Sequence, residues 1–232
     1  MRLFATCLAE LFWPEVYEKT RQLLERLGYQ VDQPRGRVCC GQVAYNAGRV
    51  AEARRMARRW VEAFLNDANV DYIVAPSASC VAMVRERFPE LLPETRNQVH
   101  RVLELSEFLH DVVGVDRLTG RFPYRVQIHY SCHYLRGLRR HDELRRILER
   151  LEGITVLPTP YEEVCCGFGG VFSLVMPELS LAMAERKVNL SFGGDVEVIT
   201  SPDPGCLLNL RGVLQRQRRP VRVMHFVEML VP

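Results

Sequence analysis

Residues 39–48 read CCGQVAYNAG, and residues 165–173 read CCGFGGVFS. In each stretch, a glycine follows two adjacent cysteines. The other four cysteines lie on either side of these pairs, at similar distances in the two halves of the chain. The offsets between equivalent cysteines in the two halves are 125, 126, 126 and 126 residues. Chance does not keep four spacings so equal, so the pattern indicates an internal duplication. The eight cysteines are Cys7, Cys39, Cys40 and Cys80, then Cys132, Cys165, Cys166 and Cys206.

The repeat divides the 232-residue chain into two units of ordinary domain size. Each half ends in a similar segment, residues 102–109 in the first half and residues 223–230 in the second. Residues 111–122 lie between the two copies and contain two glycines, as is typical of a linker. We therefore predict a first domain at residues 1–115 and a second domain at residues 122–232.

Short apolar runs alternate with amphipathic, helix-like stretches in both halves. The predicted strands are residues 2–5, 29–31, 70–75, 125–129, 154–157 and 196–200. The predicted helices are residues 15–27, 44–65, 81–88, 142–151 and 176–190. In the second of these helices, four residues are expected to face the core, namely Val50, Met56, Trp60 and Phe64. The alternation predicts an α/β fold of two pseudo-symmetric, Rossmann-like lobes, each with a parallel sheet covered by helices.

The cysteines lie just after predicted strands or at the beginning of predicted helices. The carboxyl ends of parallel strands meet at one edge of an open α/β sheet, where binding crevices form. Helix N-termini at this edge carry free N–H groups and a partial positive charge, which stabilise thiolates. We therefore expect the four sulfurs of each half to meet in a cleft of their own lobe.

The composition is that of an ordinary globular protein. The chain is 47% hydrophobic and 25% charged, and its net charge of +3 does not indicate nucleic-acid binding. Arginine supplies 29 of the 31 basic residues, and only Lys19 and Lys187 are lysines. No apolar run is long enough to span a membrane, and the N-terminal stretch lacks the pattern of a signal peptide. We expect a cytoplasmic protein, in which thiols stay reduced.

Four cysteines in each lobe provide the ligand count of a zinc site or of a [4Fe–4S] cluster. Two adjacent cysteines fit poorly around one small tetrahedral ion, whereas neighbouring sulfurs can reach different irons of a wider cluster. Gly41 and Gly167 follow the cysteine pairs, and with Gly169 they leave room for backbone N–H groups to approach cluster sulfides. The pattern favours one or two iron–sulfur clusters per chain, of the [4Fe–4S] type. Zinc stays open as the alternative.

Other interpretations of the cysteines also remain open. A zinc-stabilised interaction module without redox activity would use the same thiols, and a disulfide reductase would use Cys165 and Cys166. His133 could ligate a metal or donate a hydrogen bond to a cluster sulfur, although a histidine at a helix start more often bonds the backbone. No catalytic acid or base is predicted, because no hydrolase, nucleotide-binding or metalloprotease motif occurs.

The cysteine motifs resemble those of CCG-domain (cysteine-rich domain) proteins. These proteins include the cysteine-rich subunit of heterodisulfide reductase and the iron–sulfur subunits of glycolate and glycerol-3-phosphate oxidation systems. The resemblance covers nearly the whole chain and is most specific in residues 39–48, 76–83, 131–137 and 165–178. It implies an iron–sulfur oxidoreductase component that acts with other subunits of a lactate-oxidising complex, which converts L-lactate to pyruvate. It also implies that all eight cysteines are ligands, four in each lobe.

The chain departs from the family patterns at a few positions. The heterodisulfide reductase motifs end in C-x-x-C, but here Met83 follows Cys80 at that spacing and Asn209 follows Cys206. Each lobe therefore has four cysteines rather than the five of that pattern. Tyr130 stands where the family often carries aspartate before Ser-Cys-His, which changes the hydrogen bonding expected beside that motif.

Overall fold

Two parallel β-sheets lie at the centres of the two lobes. The computed structural model describes residues 1–34, 36, 38–67 and 69–231. In chain order the strands are β1 (Arg2–Leu3), β2 (Ile73–Ala75), β3 (Val102–Glu104), β4 (Arg125–Ile128), β5 (Thr155–Val156), β6 (Val198–Ser201) and β7 (Arg222–His225). The first sheet has the order β1-β2-β3 and the second has the order β5-β4-β6-β7, with every pair parallel.

The two sheets share one topology. In the first sheet, Arg2 forms an isolated parallel bridge with Asp32, on the side of β1 that faces away from β2. This bridge occupies the position beside β1 that β5 occupies beside β4. In each lobe, the order across the sheet is therefore the second, first, third and fourth extended segment along the chain. In such sheets, the connections that leave the first and third strands run toward opposite edges of the sheet. A crevice opens between these two strands, at the switch point. The predicted α/β fold with two Rossmann-like lobes and parallel sheets is confirmed.

Helices connect the strands. The α-helices of the first lobe are α1 (Cys7–Phe12), α2 (Pro14–Arg26), α3 (Gln42–Asn46), α4 (Val50–Phe64), α5 (Ala78–Ala82), α6 (Phe88–Leu91) and α7 (Leu105–Phe108). Those of the second lobe are α8 (Asp142–Leu148), α9 (Phe172–Val175), α10 (Pro177–Ser191), α11 (Pro204–Arg216) and α12 (Val227–Leu230). Short π-helical segments occur at Met83–Arg87, Leu109–Val113 and His133–Gly137, and 3-10 turns at Pro93–Thr95, Val99–Arg101 and Val115–Arg117. Within the described part of the chain, no helix is both long and apolar enough to cross a membrane.

Most predicted elements are present with shifted ends, but two predictions are wrong. The strand expected at residues 29–31 is reduced to the single bridge at Asp32. The helix expected at residues 44–65 is divided into α3 and α4, because the chain turns between them at Gly48 with a φ of +73°. This left-handed conformation ends a helix and is readily adopted by glycine.

The break changes which side chains of α4 face the core. Val50 stands at the start of the shortened helix and is 45% exposed, so that prediction is wrong, whereas Met56 is half-buried and packs against Gly41. Trp60 and Phe64 are buried, as predicted. Spacings of four and three residues place one face of the helix toward the core. The buried residues of this face are Ala53, Ala57, Trp60 and Phe64.

Buried polar contacts join the two lobes. Glu107, which is 2% exposed, accepts hydrogen bonds from Arg85 of the first lobe and Arg140 of the second, each at 2.8 Å. Ser106 and Tyr134 share a hydrogen bond of 3.0 Å across the same boundary. Removing one partner of such a buried ion pair would leave a charge without compensation. These contacts therefore fix the position of one lobe against the other.

The segment predicted as a linker, residues 111–122, is part of the packed structure. Its first residues belong to the π-helical segment Leu109–Val113. Leu118 and Phe122 are only 2% and 7% exposed, so the end of the segment contributes to the core. The chain therefore passes from one lobe to the other without an extended exposed stretch there. The domain boundaries given above stay predictions.

Candidate metal centre

All eight cysteines line one cavity between the lobes. Its volume is about 560 Å³, and every thiol around it is free. The sequence predicted a separate cleft in each lobe, and this is wrong. The cysteines follow the carboxyl ends of both sheets, and the lobes present these ends to a common space. Each set of four nonetheless stays within its own lobe.

In the first lobe, the cysteines surround the switch point of the sheet. Cys7 is the first residue of α1, just after β1, and Cys80 lies in α5, just after β2. Because the chain order reverses between β1 and β2, these two thiols enter the crevice from opposite sides. Cys39 and Cys40 lie directly before α3, whose N-cap is Gly41.

The second lobe repeats this arrangement. Cys132 follows β4 and immediately precedes the π-helical segment His133–Gly137. Cys206 lies in the first turn of α11, just after β6. Cys165 and Cys166 belong to the loop between β5 and α9. Each predicted ligand of the second lobe therefore occupies the position of its counterpart in the first.

One pair of sulfurs in each lobe is in direct contact, and electrostatic interactions between thiols link the four sulfurs in a row. The sulfurs of Cys7 and Cys39 are 3.9 Å apart, and those of Cys166 and Cys206 are 2.9 Å apart. Four sulfurs in such a row can grip one shared inorganic centre. The order in the first lobe is Cys7, Cys39, Cys40 and Cys80. The order in the second lobe is Cys132, Cys165, Cys166 and Cys206.

In each lobe, hydrogen bonds from neighbouring thiols favour the thiolate form of one sulfur. A hydrogen bond from Cys40 is the main reason that the pKa of Cys39 is lowered to about 3. A hydrogen bond from Cys132 has the same effect on Cys165, whose pKa is lowered to about 2. The neighbouring donor thiols have raised pKa values, because they supply protons to these bonds. These hydrogen bonds favour the deprotonated form of Cys39 and Cys165, which is the form that binds metals.

The glycine after each cysteine pair directs its N–H toward a sulfur. Gly41 donates to Cys39 Sγ at 3.5 Å, and Gly167 donates to Cys165 Sγ at 3.3 Å. Both glycines are left-handed, with φ values of +82° and +78°, a conformation that side chains disfavour. Gly169 is left-handed as well, with a φ of +55°, and it lines the cavity farther along the loop.

His133 lies where the two lobes meet at the cavity. Its Nδ1 is 3.7 Å from Cys132 Sγ, and its Nε2 is 3.2 Å from Nε2 of Gln42 in the first lobe. Asp203 connects the lobes nearby, because its carboxylate accepts hydrogen bonds from the N–H (2.9 Å) and hydroxyl (3.1 Å) of Ser79. The structure therefore places His133 beside the sulfurs, and its role toward a bound group stays a prediction.

His129 was given no role from the sequence, yet it lies behind the second set of sulfurs. The side chain is 1% exposed, and a ring nitrogen lies within 4.8 Å of the sulfurs of Cys166 and Cys206. Neither ring nitrogen has a hydrogen-bond partner among the described residues. Burial lowers the pKa of His129 to about 3, so the ring is neutral at physiological pH. A buried polar group without a protein partner is uncommon, and an imidazole beside two thiols is suited to hold an ion or a ligand.

Lys187 was also overlooked, and it is fully buried in α10. Its Nζ donates hydrogen bonds to the backbone carbonyls of Tyr161 at 2.8 Å and Glu162 at 3.0 Å. Burial lowers the pKa of Lys187 to about 8, which leaves the amine mainly protonated at pH 7. A signal was present in the sequence, since one of only two lysines in an arginine-rich chain stands here.

The two positions that depart from C-x-x-C do not supply further thiolates. Asn209 donates a hydrogen bond of 2.8 Å to the carbonyl of Cys166, and Met83 is packed in the core at 2% exposure. The described donor set in each lobe is therefore four cysteine sulfurs, with an unpartnered imidazole behind the second set. Four sulfurs match the ligand count of a four-iron cluster and do not fit a cluster that needs five cysteines. Among the described residues, the group of donors close enough together for a single ion is His129, Cys166 and Cys206.

These features define a class of protein. The family described as cysteine-rich domain, CCG, matches residues 1–85 and again residues 126–211. Each match contains one complete set of four cysteines. The chain belongs to this family of cysteine-rich domain proteins.

Similar proteins over nearly the full length are named Lactate utilization protein A. One from Geobacillus kaustophilus is 40% identical and covers 98% of this chain and 97% of its own. Another from Bacillus subtilis is 37% identical with the same coverage of both chains. Among solved structures, a glutamate racemase from Bacillus anthracis has a TM-score of 0.43 at 10% identity, over 99% of this chain and 77% of that one. That likeness is too weak to carry an inference.

Proposed function

We propose that this protein is an iron–sulfur oxidoreductase subunit that transfers electrons in the oxidation of L-lactate to pyruvate, together with partner subunits. The observation that carries the proposal is the pair of four-sulfur chains around one cavity. The substrate comes from the names of the relatives that match the whole chain. A zinc-stabilised module and a cysteine-based disulfide reductase are the rival functions that the experiments below separate.

The adjacent cysteines favour a cluster over a single zinc ion. One tetrahedral ion requires ligands that approach from four separated directions, which two neighbouring residues supply poorly. A [4Fe–4S] cluster spreads its iron atoms, so Cys39 and Cys40 can reach different irons, as can Cys165 and Cys166. We propose one such cluster in each lobe, held by the four cysteines of that lobe.

The protein's own groups would tune and protect the bound clusters, which supply one-electron chemistry. The N–H groups of Gly41 and Gly167 point at ligand sulfurs and would stabilise their negative charge. Cys40 and Cys166 are 2% and 3% exposed, so one side of each site is closed to water. No side chain is proposed as a catalytic acid or base. The hydride or proton chemistry on lactate would then belong to a partner subunit.

The mouth of the cavity suits a protein partner. Phe12, Val43 and Leu174 line it and are 43%, 48% and 79% exposed, an apolar rim contributed by both lobes. Cys7 is exposed at the same mouth. Exposed apolar patches of this kind mark interaction sites. We propose that the partner subunit that exchanges electrons docks on this rim, in the cytoplasm, where the eight thiols would stay reduced.

Metal analysis tests the cluster. Protein purified without oxygen should be brown and should contain iron and acid-labile sulfide in matching amounts. Colourless protein with bound zinc would support the zinc module. Colourless protein without metal, in which Cys165 and Cys166 cycle between thiol and disulfide, would support the reductase.

Growth on defined carbon sources tests the substrate. Deleting the gene should abolish growth on L-lactate and leave growth on glycolate intact. Unchanged growth on L-lactate would remove the lactate assignment, whereas the metal analysis would still decide on the cluster.

The rim can be tested with a single charge. Leu174→Asp should weaken the association with the partner and slow electron transfer to it, because a carboxylate would be buried at the contact. Its iron and sulfide content should equal that of the unmodified protein. Leu190→Asp is the matched control, since Leu190 is 38% exposed on α10 and does not line the cavity. Equal electron-transfer rates in both variants would place the docking site elsewhere.

A further inference from the structure

The residues behind the two sulfur chains differ in kind, although the helices that carry them are equivalent. Helices α4 and α10 pack Met56 and Met183 against the glycines that follow the two cysteine pairs. These methionines are 127 residues apart, and the same offset matches Trp60 with Lys187. Both residues are fully buried. A tryptophan of the first lobe is thus replaced by a lysine in the second.

The strands show a second replacement at the same place. Phe4 and His129 each stand three residues before the first cysteine of their lobe, just beyond β1 and β4. In the first lobe, the Phe4 ring contacts Trp60 and Phe64, with centroids 5.4 Å and 5.1 Å apart. The same buried cluster contains Cys40 and Cys80, so these positions of the first lobe carry aromatic rings without formal charge.

In the second lobe, the same space contains a cation and an imidazole. The ring of Phe192 links the two, since it lies 5.6 Å from Lys187 Nζ and 6.5 Å from the His129 ring. Phe192 also packs with Cys166 and Cys206 in one buried cluster. The wall behind the second set of sulfurs is therefore polar at its centre, although it is fully enclosed.

The carboxylates of Glu162 and Glu163 attract the charge of Lys187 without pairing with it directly. Its hydrogen bonds go to the neutral carbonyls of Tyr161 and Glu162, and no salt bridge to it occurs among the residues that the structure describes. Inside a protein, where the effective dielectric constant is low, such a charge acts strongly on nearby groups. The charge of Lys187 favours negative charge at Cys166 and Cys206, and a ring nitrogen of His129 lies within 4.8 Å of the same sulfurs without another partner among the described residues.

We propose that the two lobes hold inequivalent centres and that Lys187 and His129 make the second centre the easier one to reduce. This inference rests on the proposed iron–sulfur function. Reduction adds negative charge to a cluster, and a nearby cation or hydrogen-bond donor stabilises that charge and raises the reduction potential. Both sets of sulfurs border one cavity, so an electron that enters at the first centre would pass to the second.

A redox titration followed by electron paramagnetic resonance tests this inference on the intact, anaerobically purified protein. The unmodified protein should give two midpoint potentials. Lys187→Met should move the higher one to a more negative value and leave the lower one and the iron and sulfide content unchanged. Lys187→Arg retains the charge and should therefore keep the higher midpoint close to that of the unmodified protein. Arg186→Met is the matched control, because Arg186 is the more exposed neighbour and its charge is screened by water.

The outcomes separate this inference from the function on which it rests. Protein without iron and sulfide overturns both. Coincident midpoints, or a Lys187→Met variant in which the higher midpoint does not move, overturn the inference alone. If Lys187→Met does not fold, His129→Phe, which introduces the residue of the first lobe, must lower the same midpoint. If only one centre is present and Cys80→Ser abolishes it, the inference is wrong. If Cys206→Ser abolishes that single centre, the inference is right only when Lys187→Met lowers the midpoint potential of the centre.

Discussion

The two lobes have kept the same sulfurs and have diverged behind them. Equivalent strand ends and helix starts carry each cysteine, so the two sets have the same order of contacts. Behind the first set lie Phe4 and Trp60, and behind the second lie His129 and Lys187. The difference teaches that the ligand geometry depends on the strand ends, whereas the packing layer beneath is free to change. A buried aromatic cluster stabilises its lobe, but a buried cation costs stability and needs a functional reason.

A second contrast concerns the segment that closes each lobe. In both segments, one backbone N–H donates to a side chain two residues earlier, and the N–H of that earlier residue donates to an acid three residues after it. The first lobe uses Glu104 for this purpose and the second uses His225, and both are fully buried. The two segments therefore share this hydrogen-bond pattern, but the buried titratable residue is Glu104 in the first lobe and His225 in the second.

The largest expected effect comes from removing one ligand in each lobe. Cys40→Ser should abolish the metal centre of the first lobe, and Cys166→Ser should abolish that of the second, because a hydroxyl is a poor substitute for a thiolate ligand. Each variant serves as the control for the other. Iron and sulfide per chain should fall by the share of one lobe in each case. Loss of all iron in either variant would mean that the two sets hold one common centre.

Substitutions of the equivalent buried residues Trp60 and Lys187 should differ in their effect on the free energy of unfolding. Trp60→Ala should lower the free energy of unfolding by about 3–5 kcal/mol, because a large cavity opens in the core of the first lobe. Lys187→Met should change it by less than about 1 kcal/mol or raise it, since a well-packed apolar side chain replaces a buried charge. Urea denaturation of the reduced protein at pH 7 measures both. Equal losses would show that Lys187 is as much a packing residue as Trp60.

The two glycines should differ in their tolerance of a side chain. At Gly167, an added Cβ would lie 2.5 Å from the carbonyl oxygen of Ser180, whereas at Gly41 the nearest atoms are 3.2 Å away. Gly41→Ala should cost about 1–3 kcal/mol from its left-handed backbone alone. Gly167→Ala should cost at least about 1 kcal/mol more, because the backbone of α10 must shift. The same urea titration compares them, and a smaller loss at Gly167 would contradict the tight packing of that loop.

The smallest expected effect is a pH dependence that distinguishes Glu104 from His225. Burial raises the pKa of Glu104 from 4.5 to about 8, so the folded state retains a proton that the unfolded state releases. Stability therefore falls as the pH rises above 4.5 and levels off above about 8. Burial lowers the pKa of His225 from 6.5 to about 3, so its effect is a rise in stability from pH 3 that is complete by about 6.5. Between pH 6.5 and 8, Glu104 contributes to the pH dependence of stability and His225 does not.

Glu104→Gln should remove the decline in that window. The decline in the unmodified protein should amount to about 2 kcal/mol at most, because one group contributes no more than about 1.4 kcal/mol per pH unit. Free energies of unfolding at several pH values between 6.5 and 8 measure it. A decline that persists undiminished in the variant would assign it to other groups.

Sequence reasoning reached the ligands more completely than their surroundings. The spacing of the cysteines identified a duplication, and the parallel α/β pattern explained why their sulfurs meet at strand ends. The pattern does not predict the division of the helix at Gly48, because a single glycine inside a helix-like stretch is compatible with a continuous helix. The sequence pattern assigns no role to His129, since a histidine near a cysteine is uninformative until its burial is known. Lys187 was recorded only as a rare residue type.

The amino-acid sequence by itself determined that this protein has two equivalent lobes with four thiols each, because cysteine spacing and strand–helix alternation are local properties of the chain. Tertiary structure decided that both sets face one cavity, since this depends on how one lobe packs against the other through contacts such as Glu107 with Arg140. It also decided which residues lie behind the sulfurs. Burial and electrostatic fields arise from atoms that are distant in sequence, and no local pattern encodes them.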